Sequence, residues 1–288
     1  MNARFGWLVG FAALVAPSLV HAQALDAHKD SLFTYPAILE IRDGGAYRIV
    51  DYNEARDINA RDQVPERRVN ARYVARNRAT KEKQLTLDTD AGPAKFAMVG
   101  NLDGARLITI FVHGRGGDRR LGQNDFSFGG NFNRIKNLMV RNRGVYITVD
   151  AGDFRRSDVA RVAAVARLHL EAAPGAELIL ACGSAGGAVC HSLADAPDIG
   201  VRTAGIAFLG SYADPGFIQS DAVQAKVPVF IGHGSNDSVF AMDGMDAFYA
   251  QLRRAGVPVQ LVRFETGGHG TPIRMTDWRA MINWMLSQ

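Results

Sequence analysis

The stretch that decides the fold reads Glu177-Leu178-Ile179-Leu180-Ala181-Cys182-Gly183-Ser184-Ala185-Gly186-Gly187. An apolar segment typical of a buried strand ends in small residues around one serine, and a helical pattern begins at Gly187. A serine on a sharp strand-to-helix turn needs small residues two positions before and after it, because the backbone folds back there. Cys182 and Gly186 meet that requirement, with Cys182 in place of the commoner glycine. The pattern predicts a nucleophile elbow with Ser184 as the nucleophile.

Strand-like and helix-like segments alternate from residue 107 to the end of the chain. Short apolar runs predict strands over 107–112, 145–149, 178–181, 205–209, 227–231 and 259–264. Amphipathic spacing predicts helices over 133–142, 157–172, 187–194, 242–255 and 276–286. Strands that are apolar throughout and alternate with helices are typical of an α/β fold, in which a mostly parallel central sheet carries helices on both faces.

The preceding segment, residues 33–100, has a different pattern. Short alternating pieces at 47–50, 84–87 and 96–99 predict an antiparallel N-terminal edge of the same sheet. Arginines alternate with acidic or apolar residues over 56–62, a pattern that is typical of a solvated strand face. The formal net charge is only +4, and a denser basic patch would be needed for nucleic acid, so we expect no nucleic-acid partner.

The first residues resemble an export signal. Arg4 precedes an apolar core at 7–16, and Val20-His21-Ala22 supplies a small-residue cleavage pattern. The core is shorter than the roughly 18 apolar residues of a membrane-spanning helix. We therefore expect a signal peptide over 1–22, with an uncleaved anchor as the alternative and Ala24 as a second cleavage position. The mature protein is expected in the periplasm or outside the cell, without stable membrane insertion. Residues 23–83 form an N-terminal extension with edge strands, and 84–288 form the catalytic domain.

The chain contains two cysteines, Cys182 and Cys190. Export permits a disulfide between them. Their Cα separation cannot be read from the sequence, however, and two buried free thiols are the preferred interpretation.

Three further segments fall where a serine hydrolase requires them. The turn His113-Gly114-Arg115-Gly116-Gly117-Asp118 follows the strand 107–112 and can expose backbone N–H groups. Such groups stabilise the oxyanion of a tetrahedral intermediate. We expect Ala185, directly after the nucleophile, to donate one N–H, and Arg115 or Gly116 to donate the other.

Asp237 and His269 follow the next two strand ends, within Gly232-His233-Gly234-Ser235-Asn236-Asp237 and Gly267-Gly268-His269-Gly270. A serine hydroxyl needs a base to take its proton, and that base needs a carboxylate to orient it. The order of Ser184, Asp237 and His269 fits a Ser-His-Asp triad. Asp243 and Asp214 are alternative acids, and Cys182 is an alternative nucleophile. His113 and His233 are expected to brace the site, and His191 to pack on a helix.

Taken together, these motifs resemble the α/β-hydrolase fold superfamily over about residues 84–288. The resemblance implies a serine esterase that cleaves a small-molecule ester through an acyl-enzyme. Only about 17 residues separate the strands ending at Leu209 and beginning at Val227, too few for a large lid, so we expect an open site. The loop 118–131 is expected to wall the pocket or simply to pack on the core.

Two other functions remain open, and a third lacks its motif. Amide or peptide cleavage could use the same triad, and the fold could also serve a catalytically silent binding protein. A dinucleotide-binding oxidoreductase would need a Gly-x-Gly-x-x-Gly turn after its first strand, which the sequence lacks. No cofactor and no metal are implied, because no ligand cluster has metal spacing.

Overall fold

The computed structural model describes residues 24–63 and 67–288, and the expected signal peptide, 1–22, lies outside these described residues. Within this part of the chain, no helix is both long enough and apolar enough to cross a membrane.

A ten-stranded sheet forms the centre of the molecule, and two further strands form a separate ribbon. The strands are β1 Ile38–Arg42, β2 Tyr47–Val50, β3 Asp62–Gln63, β4 Arg68–Val69, β5 Lys83–Leu87, β6 Ala94–Val99, β7 Leu107–Val112, β8 Gly144–Val149, β9 Glu177–Gly183, β10 Thr203–Leu209, β11 Val229–Gly234 and β12 Val259–Phe264. The strand order in the sheet is β1-β2-β12-β11-β10-β9-β7-β8-β6-β5. The strands from β2 to β8 in this order run parallel, whereas β1, β6 and β5 pair antiparallel with their neighbours. The separate ribbon pairs β3 with β4.

Helices cover both faces of this sheet. Val162, Val189 and Phe248 from three helices pack in the core of one face, and Phe132 and Trp278 from two others pack in the core of the opposite face. The helices are α1 Arg119–Gln123, α2 Asn131–Arg141, α3 Arg156–Ala172, α4 Gly187–Ala194, α5 Pro197–Gly200, α6 Asp221–Gln224, α7 Met242–Arg254, α8 Thr271–Met275 and α9 Trp278–Met285. The α/β class with a mostly parallel sheet, helices on both faces and antiparallel edges is confirmed.

The chain reverses its direction across the sheet next to β7. It passes from β7 to β8 on one side and then returns to place β9 on the other side. The carboxyl ends of strands at such a reversal point border a crevice, which is where ligands bind in open α/β sheets. The glycine turn after β7 and the serine after β9 therefore meet at the expected edge.

The N-terminal segment differs from the prediction in where its strands lie. β5 and β6 form one edge of the sheet, but β1 and β2 form the opposite edge, where β2 pairs parallel with β12. The charged stretch over 56–62 was predicted as a solvated strand face, and this is wrong. Asp57, Arg61 and Asp62 are buried, and 55–59 form a helical turn. Alternation of charge cannot reveal that Asp62 pairs with the distant Arg274 or that Arg61 bonds to the Gly129 carbonyl oxygen.

The helix predicted over 276–286 corresponds to α9, whose first turn is capped by Asp277, which accepts a hydrogen bond from the Ala280 N–H. The short α8 before it was not predicted. The preference for free thiols is wrong, since Cys182 and Cys190 form a disulfide. Because α4 runs back along β9, the Cα atoms of Cys182 and Cys190 lie 6.2 Å apart, within the range that a disulfide requires.

Candidate active site

Ser184 lies on a tight turn between β9 and α4. Its φ of 52° is in the left-handed region, which is strained for a residue other than glycine. A Cβ on Gly186 would overlap the carbonyl oxygen of His113 and lie 3.0 Å from that of Val112. The residue two positions after the serine must therefore be glycine, because the turn packs directly on the backbone at the end of β7.

Neighbouring groups hold the turn around Ser184 in place. The Ser211 hydroxyl donates a hydrogen bond to the Ser184 carbonyl oxygen, with 2.7 Å between the oxygens. The Cys182–Cys190 disulfide ties the strand before the serine to the helix after it. The serine hydroxyl is thus presented from a backbone that is fixed on both sides.

His269 connects the serine to a carboxylate. Its Nε2 lies 2.8 Å from the Ser184 Oγ, and its Nδ1 lies 2.8 Å from the Asp237 Oδ2 and 3.0 Å from the Oδ1. In this geometry Nδ1–H donates to Asp237, so the unprotonated Nε2 can accept the serine proton. The structure therefore brings the three predicted residues together in the predicted chain order.

The Asp237 side chain is fully buried, and hydrogen bonds hold its carboxylate in place. Its Oδ1 accepts hydrogen bonds from the N–H groups of Val239, at 2.8 Å, and Phe240, at 3.0 Å. His233 Nε2 lies 2.8 Å from the Phe240 carbonyl oxygen and 3.5 Å from the Asp237 Oδ2. Burial lowers the pKa of His233, which keeps this imidazole neutral. The Phe240 ring also packs on His269, with ring centroids 5.6 Å apart.

The candidate oxyanion donors lie around Ser184. Ala185 is in the turn Ser184–Gly186 that leads into α4, where backbone N–H groups have no partner further back in the helix. Arg115 and Gly116 line one cavity together with Ser184 and His269. Gly114 packs so closely that a Cβ there would lie 2.8 Å from the Ser184 Cβ. The glycine turn thus brings its backbone to the nucleophile.

The alternative residues lie elsewhere or have other partners. Cys182 is bonded to Cys190, Asp243 is exposed in the first turn of α7, and Asp214 accepts a hydrogen bond from the Gly216 N–H at 2.8 Å. His113 is buried, and its Nδ1 lies 2.7 Å from the Gly114 carbonyl oxygen while its Nε2 accepts the Ala151 N–H. His191 stacks on Phe208 at 4.6 Å between ring centroids.

The sequence did not indicate that the N-terminal extension reaches the site. Tyr52, Glu54, Ile58 and Arg67 line a cavity that also contacts His269. The connection between β10 and β11 holds only a short turn and α6, so no large lid is inserted there. The site is nevertheless more enclosed than expected, because the N-terminal extension covers one side of it. The predicted wall loop 118–131 contains α1 and contributes Leu121 and Phe128.

Comparison with known proteins agrees with this geometry. The Dienelactone hydrolase family matches residues 150–277, whereas no curated protein matches the sequence. A thermostable esterase is 15% identical with a TM-score of 0.59, and the alignment covers 73% of this chain but only 64% of that one. An α/β serine hydrolase without a lid from Xanthomonas campestris is 19% identical, with 72% and 94% coverage and a TM-score of 0.50.

A third solved structure is Thermogutta terrifontis esterase 2 phosphorylated by paraoxon, with 16% identity, 72% and 91% coverage and a TM-score of 0.50. At these identities the solved structures show the fold alone. The sheet and these comparisons show that the chain has the α/β-hydrolase fold, with its residues 150–277 similar to the Dienelactone hydrolase family.

Proposed function

We propose that this protein is an exported serine hydrolase that cleaves small-molecule carboxylic esters through an acyl-enzyme. One observation carries the proposal: His269 bridges Ser184 and Asp237 with both ring nitrogens at 2.8 Å from their partners. A family of hydrolases matches the segment that contains Ser184 and Asp237, and two of the solved structures described above are esterases.

The distances assign a role to each side chain. Ser184 Oγ attacks the ester carbonyl while His269 Nε2 takes its proton, and Asp237 stabilises the imidazolium that forms. His269 then donates the proton to the leaving alcohol as the carbon–oxygen bond breaks. In the second half, His269 activates a water that releases the acid and restores Ser184.

The backbone around the serine stabilises the intermediate. The Ala185 N–H and one from Arg115 or Gly116 would donate to the oxyanion. Removal of one such donor typically costs about 2.7–4 kcal/mol in the transition state. The short turn into α4 adds a partial positive charge on the same side.

Two features support export. The first 22 residues have the sequence pattern of a cleaved leader. The Cys182–Cys190 disulfide is typical of an oxidising compartment such as a periplasm or the extracellular medium. N-terminal sequencing of the protein recovered from the periplasm and the medium tests this, with Gln23 expected as the first residue and an intact Met1 contradicting it.

The activity is tested on residues 23–288 with nitrophenyl esters of increasing acyl length, beside Ser184→Ala. We expect Ser184-dependent hydrolysis that falls as the acyl chain lengthens. Activity that survives Ser184→Ala would overturn the nucleophile assignment. Hydrolysis of anilides but not of esters would favour an amidase on the same residues.

A further inference from the structure

Two cavities meet at the catalytic histidine. The smaller, about 360 Å³, contacts Ser184 and the glycine turn 114–117, and its remaining wall is largely apolar, with Leu121, Phe128 and Ile273. The larger, about 650 Å³, lies on the other side and does not contact Ser184. Phe128, His269 and Gly270 belong to both walls, so together they form the boundary between the two compartments.

The chemistry of ester cleavage assigns one half of the substrate to each cavity. The carbonyl carbon bonds to Ser184 Oγ and its oxygen points to the oxyanion donors, so the acyl group lies in the cavity that holds both. The leaving oxygen must receive its proton from His269, so the alcohol lies on the histidine side. The larger cavity contacts His269 without contacting Ser184, and it is therefore the compartment for the alcohol.

The walls of the larger cavity are rich in hydrogen-bonding groups. Thr271 contributes a hydroxyl, and Tyr52 contributes a phenol. The Thr266 hydroxyl donates to the Tyr52 carbonyl oxygen at 3.0 Å and can still accept a hydrogen bond. Glu54 and Arg67 form an ion pair at the rim with 3.5 Å between Oε1 and Nη2. Burial raises the pKa of Tyr52, partly offset by its contact with the Thr271 side chain, so the phenol stays protonated and can donate. Phe128 and Ile58 are the apolar exceptions.

The extension that forms this wall is held rigidly against the catalytic loop. Arg274, five residues after His269, donates to both carboxylate oxygens of Asp62 at 3.0 and 2.6 Å and to the Asp57 carbonyl oxygen at 3.2 Å. Arg61 donates to the Gly129 carbonyl oxygen at 3.3 Å and lies over the Tyr73 ring. The compartment is thus preformed, which lowers the entropic cost of binding a substrate there.

We propose that the substrates are esters of hydroxyl-rich alcohols, such as sugars or polyols, that carry a short apolar acyl group. This inference rests on the proposed ester hydrolase and specifies its substrate class. Hydroxyls on the alcohol would exchange their hydration for the ring of donors and acceptors around the larger cavity, and one face of a sugar ring would pack on Phe128. A site of this kind rejects an analogue that lacks the hydroxyls, because its polar groups are then left unpaired.

The test compares two acetates of matched size on residues 23–288. Methyl 6-O-acetyl-glucoside and cyclohexylmethyl acetate present the same acyl group on a primary alcohol beside a six-membered ring, and they differ in the polar groups of that ring, which are three hydroxyls, the ring oxygen and the anomeric methoxy group. We expect kcat/KM to be larger for the sugar ester by about tenfold or more. Equal values, or a preference for the cyclohexylmethyl ester, would overturn the inference.

Two variants test whether the larger cavity produces the preference for the sugar ester. Ile58→Trp fills the larger cavity and should lower the ratio of sugar-ester to cyclohexylmethyl-ester kcat/KM, as should Tyr52→Phe through loss of its hydroxyl. Val201→Trp places the same bulk on an exposed residue away from the site and should leave the ratio unchanged. A ratio that is equally unaffected in Ile58→Trp and Tyr52→Phe would contradict the assignment of this compartment.

Nitrophenyl acetate distinguishes a wrong substrate class from a wrong enzyme activity. If Ser184 is needed for its hydrolysis and the sugar ester shows no advantage, the substrate class is wrong and the proposed function stands. If no ester is cleaved, both are wrong.

Discussion

The Asp62 carboxylate and the Arg274 guanidinium form a buried ion pair, 2.6 Å between Oδ2 and Nη2, that joins the N-terminal extension to α8, the helix directly after the loop that carries His269. The Asp62 side chain is 1% exposed and that of Arg274 is 8% exposed. The extension is therefore part of the core packing beside the candidate site. Its removal would leave the buried Arg274 guanidinium without its carboxylate partner.

Asp62→Asn is predicted to destabilise the protein by about 3–5 kcal/mol, because the Arg274 charge stays buried without its carboxylate. Urea unfolding of residues 23–288 measures the free energy. Glu40→Gln is the matched control, since it breaks a solvent-exposed pair with Arg42 and should leave the free energy of unfolding nearly unchanged. Equal costs for both variants would show that the buried pair contributes no more than a surface pair.

Asp237→Asn is predicted to lower kcat by about 10³–10⁴-fold on nitrophenyl acetate with little change in fold. The amide can donate to His269 Nδ1, which stabilises the wrong tautomer and leaves Nε2 protonated toward Ser184. Asp243→Asn serves as the control, because Asp243 is exposed on α7. A comparable loss in the control, or none in Asp237→Asn, would contradict the acid assignment.

Gly186→Ala is predicted to lower both stability and kcat. The new methyl group would meet the backbone oxygen of His113, which cannot rotate away, so the elbow must shift at a cost of about 1–3 kcal/mol. Gly175→Ala is the control, because a Cβ there meets no atom within 4 Å. Thermal unfolding and steady-state kinetics of the two variants check the expectation, which a normal Gly186→Ala enzyme would refute.

Replacement of both cysteines, Cys182→Ala with Cys190→Ala, is predicted to lower the free energy of unfolding by about 2–3 kcal/mol. The disulfide closes a short loop that includes Ser184. In the chain-entropy description, the disulfide lowers the conformational entropy of the unfolded chain, and this loss accounts for the expected difference in free energy. Denaturant unfolding of the oxidised wild type and the double variant measures the difference. A variant as stable as the wild type would show that native packing, and not the crosslink, holds the elbow.

Stability is predicted to fall as the pH drops below about 6.5. Burial lowers the pKa values of His169, His191 and His233 from the usual 6.5, so below that pH the unfolded state binds protons that the folded state excludes. Their contribution is complete above pH 6.5 and is lost as the pH falls through the folded pKa values. His169→Leu, on α3, should make the unfolding free energy less dependent on pH between 6.5 and 4. An unchanged slope would assign the dependence to other groups.

The central strands, and the meeting of Ser184, Asp237 and His269 at one edge of the sheet, could be predicted because they depend on local pattern and chain order. The sequence placed β7 and β12 at their observed bounds, since β7 is apolar except for Thr109 and β12 is apolar at four of its six positions. Small residues around Ser184 indicated the turn directly. The oxyanion donors and the triad roles remain predictions that await measurement.

The parts that could not be predicted depend on long-range partners. The charges of Asp57, Arg61 and Asp62 look solvated in sequence and become buried only because Arg274 and the Phe128–Gly130 turn pack against them. Similarly, the pairing of β2 with β12 and the Cys182–Cys190 bond are properties of the assembled sheet. The wall of the larger cavity also depends on this long-range packing, because the N-terminal extension supplies part of it. The sequence therefore predicts a more open site than the structure has.

The most direct test of the account is the position of a covalent label. Residues 23–288 would be treated with a fluorophosphonate ester, digested and mapped by mass spectrometry beside Ser184→Ala. We predict one phosphonyl group per chain on the peptide that contains Ser184, and none in the variant. A label on another residue, or an unlabelled wild type that is folded, would contradict the claim that His269 and Asp237 activate Ser184.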